Sequence, residues 1–274
     1  MARTLARLLV AAGEPLLCIA ARDPSRAWEA ALFAGPGIEA ASLHDFPRDV
    51  SHVLIAVSDS AVHSVAAVIA AALQPEVALH TSGVAGPDVL NPLRSRGTAC
   101  GTLHPLQTVT GDEAAVASLY GAAFGICGDA AAFGWARHIA GLAQGTPLCV
   151  QPERMPLYHA AAVLASNSVT ALVDASQSLF ELAGLDPDSA LRAIAPLLRA
   201  SVENALRLGP LAALTGPIAR GDVNTVVAHR AGLASAPPRV HDLYCAAALH
   251  ALDMSRRRGL SVEMIAALEE SLRA

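Results

Sequence analysis

"SHVLIAVSDSAVHSVAAVIAAALQPEVALHTSGVAG", residues 51–86, carries three signals in order. Residues 51–60 are a β-branched and apolar run of buried-strand length with a polar end. Residues 61–73 have the apolar density of a buried helix. Residues 76–86 repeat the strand followed by a polar, glycine-bearing loop. Strand, helix and strand in succession imply a βαβ unit and a parallel sheet. The same alternation extends both ways. Upstream, "LLCIAAR" (16–22) reads as a strand, followed by a helix through Trp28 and Ala31. At the start, Leu5, Leu8, Leu9 and Ala12 stand at helical spacing before Gly13. Downstream come a short helix in "VLNPLRSRG" (89–97) and a strand in "TACGTLHPLQTV" (98–109). The segments "AAFGICGD" (122–129), a helix around Trp135 to Leu142, and "TPLCVQPE" (146–153) complete the region.

After Pro152 strand signals stop, and alanine- and leucine-rich helices are expected over about 156–183, 187–208, 222–234, 240–258 and 262–273, with Gly184, Gly209 and Gly259 as punctuation. The expected fold is α/β: a doubly wound, Rossmann-like parallel sheet over residues 1–152, followed by an all-α substrate and dimerisation domain over residues 153–274.

Composition excludes several classes. The 274 residues carry a net charge of −5 with no basic run, which argues against a nucleic-acid surface. Mean hydropathy is +0.43, but the excess is mostly alanine and no apolar run reaches membrane-spanning length. The first residues lack the regions of a signal peptide, so a cytoplasmic location is expected. Five scattered cysteines without CxxC spacing read as reduced thiols. His80, His104 and His159 have no metal-ligand spacing, and no metal is expected.

Open parallel sheets bind ligands beyond the carboxyl ends of their strands, so the polar residues ending each strand signal are the candidates. After the first strand signal, Arg22 and Ser25 are candidate cofactor contacts. An Arg near this position accommodates the 2′-phosphate of NADP, and alanine stands where an NAD-binding acid falls. The alternative is a solvated turn in which Asp23 caps a helix. Val57, Ser58 and Asp59 are the cofactor candidates at the second strand end. Ser82 and Gly83 offer hydroxyl and backbone N–H groups to a substrate carboxylate, and Gln107 offers a further hydrogen bond. His104, held by Pro105, suits proton exchange with an atom gaining or losing hydride, or serves as a loop-stabilising histidine. In "LYHAAAVLASNSVTALVDA" (157–175), His159, Val163, Ser166 and Thr170 fall on roughly one helical face with Asn167 adjacent. That stripe fits a wet crevice or a dimer core. Arg220, in the loop "LTGPIARGD" (214–222), is a substrate candidate, and Asp222 is a helix cap.

The segments "HTSGVAGPDVLNPLRSRGTACGTLHPLQT" (80–108), "YHAAAVLASN" (158–167) and "LTGPIARGD" (214–222) together resemble a bacterial family with a Rossmann-like NADP-oxidoreductase domain and a C-terminal helical domain of unknown function. "LHPLQ" and "YHAAAVLASN" are more remotely similar to the paired histidine motifs of prephenate dehydrogenases, which implies a catalytic role for His104. The C-terminal half is similar to the helical domains of the 6-phosphogluconate and β-hydroxyacid dehydrogenases, but the lysine those enzymes use is missing, since the chain contains no lysine.

The resemblance implies an NADP-dependent oxidoreductase moving hydride to or from a small carboxylate-bearing substrate, with His104, Asn167 and His159 as the catalytic candidates, in a homodimer built by the C-terminal helices. The competing reading is a non-catalytic dinucleotide sensor or dimeric scaffold. Family members open with a strand and a glycine-rich turn that binds the pyrophosphate. An apolar strand ending in such a turn is therefore expected upstream of Met1, the native protein beginning about 10 to 20 residues earlier.

Overall fold

A computed structural model describes residues 1–109 and 113–273. It divides into two compact units, Met1–Ser166 and Asn167–Ala274. The division falls beyond residue 152, so that one helix of the alanine-rich half lies with the sheet.

The first unit opens with α1 (Ala2–Ala11), which buries Leu5, Leu8 and Leu9. Gly13, at φ +83°, ends it, and the Glu14 N–H reaches back to the Leu9 carbonyl at 3.0 Å. Then follow β1 (Cys18–Ala21), α2 (Pro24–Ala34), β2 (Glu39–Ser42), β3 (His52–Ile55), α3 (Val62–Ala72), β4 (Val77–His80), α4 (Asn91–Arg94), β5 (Ala99–Pro105), α5 (Glu113–Ala117), β6 (Ala123–Gly128), α6 (Ala130–Leu142), β7 (Thr146–Cys149) and α7 (Met155–Ala165). The strand β2, with sequence EAAS, has no counterpart in the sequence reading, because it holds no β-branched or aromatic residue.

The strands form two sheets. β1 pairs with β2 in parallel, and a five-stranded sheet runs β3-β4-β5-β6-β7. Its pairings are parallel except β5 with β6, which is antiparallel. The reversal corrects the expected all-parallel order. The Leu106 N–H bonds the Ala123 carbonyl at 2.8 Å, so the end of β5 lies beside the start of β6, and β6 runs back along β5.

Helices cover both faces. On one, Leu5 and Leu8 of α1 and Ile139 of α6 pack over Val77, Leu79 and Leu103. On the other, Val62, Ala66 and Ile69 of α3 pack over Ile55, Ala78 and Cys100. The strand β4 is accordingly buried at all four positions, as a strand covered on both faces must be.

The second unit contains α8 (Asn167–Leu182), α9 (Pro187–Leu208), α10 (Pro210–Ala213), α11 (Pro217–Arg220), α12 (Val223–Leu233), α13 (Pro238–Arg257) and α14 (Val262–Arg273). Its core gathers Ile218, Val226, Leu252, Ile265, Leu268 and Leu272. The single helix expected over 156–183 is two helices. Ser166, at φ −123° and ψ −77°, lies outside helical geometry. The Ser166-Asn167-Ser168 run offers side chains that compete with the helical ladder. The polar stripe from His159 to Thr170 therefore does not continue along one helix.

Candidate active site

Because β3, β4 and β5 run parallel and in register, the residues that follow them emerge at one edge of the sheet. That edge carries Val57, Ser58 and Asp59 after β3, the loop 80–86 after β4, and His104 at the end of β5.

The loop after β4 is held by His80. Its ring is fully buried. Nδ1 accepts the Ser82 N–H at 3.2 Å, so the ring proton sits on Nε2, which donates to the Gly86 carbonyl at 3.2 Å and lies 3.1 Å from Thr102 Oγ1. Burial pulls the His80 pKa down to about 4, and the ring is neutral at physiological pH. Ser82 is 2% exposed, and its Oγ accepts the Ala85 N–H at 3.2 Å. It fastens the loop from within.

This tight loop brings the Gly83 backbone against two imidazoles. A side chain there has no room: a Cβ on Gly83 would stand 2.7 Å from His104 Nε2 and closer still to His159. His104 and His159 meet edge to face, their centroids 5.6 Å apart. The other nitrogen of His104, Nδ1, lies 3.1 Å from Tyr158 Oη. Tyr158 and His159 are neighbours on α7, and the absence of a side chain on Gly125 lets the phenol in, since a Cβ there would come within 2.6 Å of the ring. Gly125 stands opposite His104 in the antiparallel register.

The hydrogen bonds set the direction of the proton. Burial raises the pKa of Tyr158, against the Gly125 backbone N–H, which bonds its oxygen and lowers it. The phenol keeps its proton, and with its oxygen already accepting the Gly125 N–H it is placed to donate to His104 Nδ1. That leaves Nε2 of His104 as the protonated nitrogen, facing the Gly83 backbone. Burial first, and His159 second, hold the His104 pKa down to about 4, with Asp59 opposing. His104 is thus a neutral donor through Nε2, comparable in kind to other neutral imidazole electrophiles.

The remaining candidates are spread out. Arg22, Ser25, Ser58 and Asp59 are exposed. Asp23 caps α2 by accepting the Ser25 N–H at 2.9 Å, and the neighbouring Arg22 guanidinium extends from an exposed position. Gln107 is used locally: Nε2 donates to the Ser118 carbonyl at 3.1 Å and Oε1 accepts the Thr108 N–H at 2.8 Å. Asn167 opens α8 and Arg220 closes α11, both in the second unit. Asp222 caps α12, accepting the Thr225 N–H at 3.1 Å. Among the described residues no three metal-ligating side chains gather, and no helix is long and apolar enough to cross a membrane. Sequence reading missed Tyr158, although it stands inside a quoted motif. The signal that could have found it is Gly125, a glycine inside a strand, which marks a close approach.

The buried histidines make the fold pH-sensitive. Both folded values lie below the ordinary histidine value, so their stabilisation is complete above about pH 6.5 and is lost as pH falls toward 4. For fully buried His80 the loss is on the order of 3 kcal/mol. Between pH 7.5 and 4.5, urea unfolding of the His80→Gln chain is expected to lose less stability than the parent by about that amount. Equal losses in the two chains would contradict it.

Comparison with known proteins divides the chain between β5 and β6, ahead of the division at Ser166. Residues 3–105 match the family model of a Rossmann-like domain, and residues 122–251 match that of a domain of unknown function, DUF2520. No curated protein matches the sequence. Among solved structures, protein TM1727 of Thermotoga maritima superposes with a TM-score of 0.69 at 23% identity, over 98% of this chain and 95% of that one. A Bacteroides fragilis protein assigned as an NADP oxidoreductase gives 0.74 at 20% identity, over 92% and 93%. Plasmodium falciparum pyrroline carboxylate reductase, solved with NADP bound, gives 0.58 at 13% identity, over 98% and 92%. With one model covering the sheet region and the other most of the helical half, the chain belongs to the Rossmann-like proteins that carry a C-terminal DUF2520 domain.

Proposed function

We propose that this protein is an NADP-dependent oxidoreductase that moves hydride to or from a small carboxylate-bearing substrate, with His104 as its proton donor and acceptor. The observation that carries the reading is the neutral His104, tied through Nδ1 to Tyr158 Oη at 3.1 Å, with its Nε2–H presented beside Gly83 at the carboxyl edge of β4 and β5. A carbonyl oxygen or imine nitrogen placed there would take the Nε2 proton as its carbon is reduced, while the Tyr158 proton passes to Nδ1 so that the ring stays neutral and the phenolate regains its proton from solvent. The nicotinamide supplies the hydride when bound. Arg22 is the residue to hold the 2′-phosphate, with Ser25, Ser58 and Asp59 for the ribose and its neighbours. The Gly83 backbone is the group for the substrate carboxylate, and His159 flanks His104. Solved structures of similar fold include NADP-bound reductases.

The test is cofactor preference. NADPH is expected to quench tryptophan fluorescence and raise the melting temperature more than NADH does. Arg22→Ala is expected to weaken NADPH binding by about 10- to 150-fold, equivalent to roughly 1.5 to 3 kcal/mol for a charge-assisted contact, and to leave NADH binding unchanged. Equal binding of both cofactors by the parent chain would overturn the assignment.

A second copy of the chain is the proposed partner. The helices α8 and α9 expose Leu172, Leu182, Leu197, Val202 and Leu206, the last 83% accessible. Scattered apolar residues are ordinary on a surface, but a run along two packed helices marks an interface. Light scattering at micromolar concentration should give twice the chain mass, and Leu206→Arg should lower it to one.

A further inference from the structure

Three strands place a second row of polar groups beside the site. In the register of the sheet His80 of β4 stands opposite Thr102 of β5, and Thr102 stands opposite Cys127 of β6. Two residues further along β5, His104 stands opposite Gly125. Side chains two apart on a strand share a face, so the row His80-Thr102-Cys127 adjoins the row that holds His104 and admits Tyr158. All three members of the first row are buried, and none takes part in the proton transfer proposed above. Their hydrogen bonds run in one direction. The Ser82 N–H occupies His80 Nδ1 at 3.2 Å, so the ring proton is on Nε2, 3.1 Å from Thr102 Oγ1. A hydroxyl approached by an N–H accepts there and turns its own proton elsewhere. Cys127 is the partner on the other side: burial raises its thiol pKa, and the Thr102 hydroxyl, bonded to the sulfur, opposes the rise, as a donor does. The chain therefore runs from the Ser82 backbone through His80 and Thr102 to Cys127.

We propose that Thr102 is a positioning residue of the site: by accepting the His80 Nε2–H it ties the loop 80–86 to the strand that carries His104, and so fixes the Gly83 backbone against the His104 ring. The proposal rests on the reading of His104 given above. Three observations select Thr102. The other acceptor of the His80 Nε2–H, the Gly86 carbonyl at 3.2 Å, belongs to the loop itself, as do the Ser82 N–H and the bond from Ala85 to the Ser82 hydroxyl. Those bonds shape the loop without registering it against β5. Thr102 supplies the side-chain hydrogen bond from β5 to this loop among the described residues, two positions from His104. At its far end the loop has a different stop, since a Cβ on Gly86 would meet Pro152 at 3.3 Å, and Pro152 lies shortly before α7, the helix of Tyr158 and His159. The loop is thus seated between the two elements that meet at His104. Thr102 is also fully buried, so water has no access to replace its hydroxyl once that is removed.

The experiment uses the whole chain. Thr102→Val keeps the shape of the side chain and removes the acceptor, whereas Thr102→Ser keeps the acceptor. In the parent chain, ring-nitrogen NMR at neutral pH should find His80 protonated at Nε2 and unprotonated at Nδ1. The opposite tautomer would overturn the proposal, and this measurement needs no variant to fold. In Thr102→Val the Ser82 and Gly83 amides are expected to exchange about tenfold faster, the equivalent of one hydrogen bond, while exchange in α6 stays as in the parent. The His104 ring nitrogens should shift as the bond to Tyr158 loosens. For the substrate that the parent reduces best, kcat should fall about tenfold with the Kd for NADPH unchanged. Thr102→Ser should return all of these close to the parent. A hydroxyl with only a structural role would lower the melting temperature and leave the Gly83 amide and the His104 nitrogens where they are, and that result would overturn the proposal. The two readings separate cleanly. A loop that responds in a chain with no reductase turnover would remove the proposed reaction and keep Thr102 as what positions the loop, whereas turnover with an unresponsive loop would do the reverse.

Discussion

His104→Ala is expected to lower kcat by about 10²- to 10⁴-fold for NADPH-dependent reduction of whichever 2-keto acid or cyclic imino acid the parent chain turns over best, with the Kd for NADPH unchanged. The size follows from removing the proton donor proposed at the carboxyl edge of the sheet. His80 cannot replace it, being buried and bound to Gly86 and Thr102. Tyr158→Phe removes the group that positions His104 rather than the donor itself. Its expected cost is about tenfold, the rate equivalent of one hydrogen bond near 1.4 kcal/mol. The pH profile separates this mechanism from ordinary imidazolium catalysis. With a His104 pKa of about 4, kcat/KM should pass through pH 6.5 without a bend from this residue and fall only as pH approaches 4, where protonated Nδ1 can no longer accept from Tyr158. A bend at 6.5 that disappears in His104→Ala, or an unaltered kcat in that variant, would remove His104 from the chemistry.

The parts of this site that sequence reading reached are those encoded locally. The strand ends at Arg22, Ser58, Ser82 and His104 follow from apolar runs giving way to polar loops, and the sheet puts three of those runs in parallel register as periodicity implies. Asp23 and Asp222 were legible as caps because a cap needs only its own helix. What was illegible depended on distant segments. The reversal of β6 is decided by where a long connection returns, and no residue in "AAFGICG" encodes its direction. The helix break at Ser166 lies in a sequence whose apolar spacing continues through it. The hydrogen bond from Tyr158 to His104 spans 54 residues and exists because Gly125 lacks a side chain.

Gly83→Ala should come close to the loss seen on removing the His104 ring. Nothing in the Gly83 backbone demands glycine, since its φ is not in the left-handed region, and the loop can therefore fold with alanine in place. The obstacle is the side chain: its Cβ would lie 2.7 Å from His104 Nε2 and 2.9 Å from Cδ2, and closer again to His159, distances at which one group must yield. The loop is the stiffer party, fastened by His80, Gly86 and the Ser82 hydroxyl. The imidazoles are partly exposed side chains, so they turn, and His104 leaves Tyr158. A displacement of about 1 Å at a reacting group costs on the order of 10²-fold in rate, whereas the melting temperature should fall by only a few degrees because no core residue moves. Gly134→Ala is the matched control, since an added methyl there meets nothing. It should leave the rate unchanged and, lying within α6, raise the melting temperature slightly. Full activity in Gly83→Ala, with His104 still bonded to Tyr158 by the chemical shift of its ring nitrogens, would mean that the loop gives way instead and that the close approach of Gly83 has no part in aiming the donor.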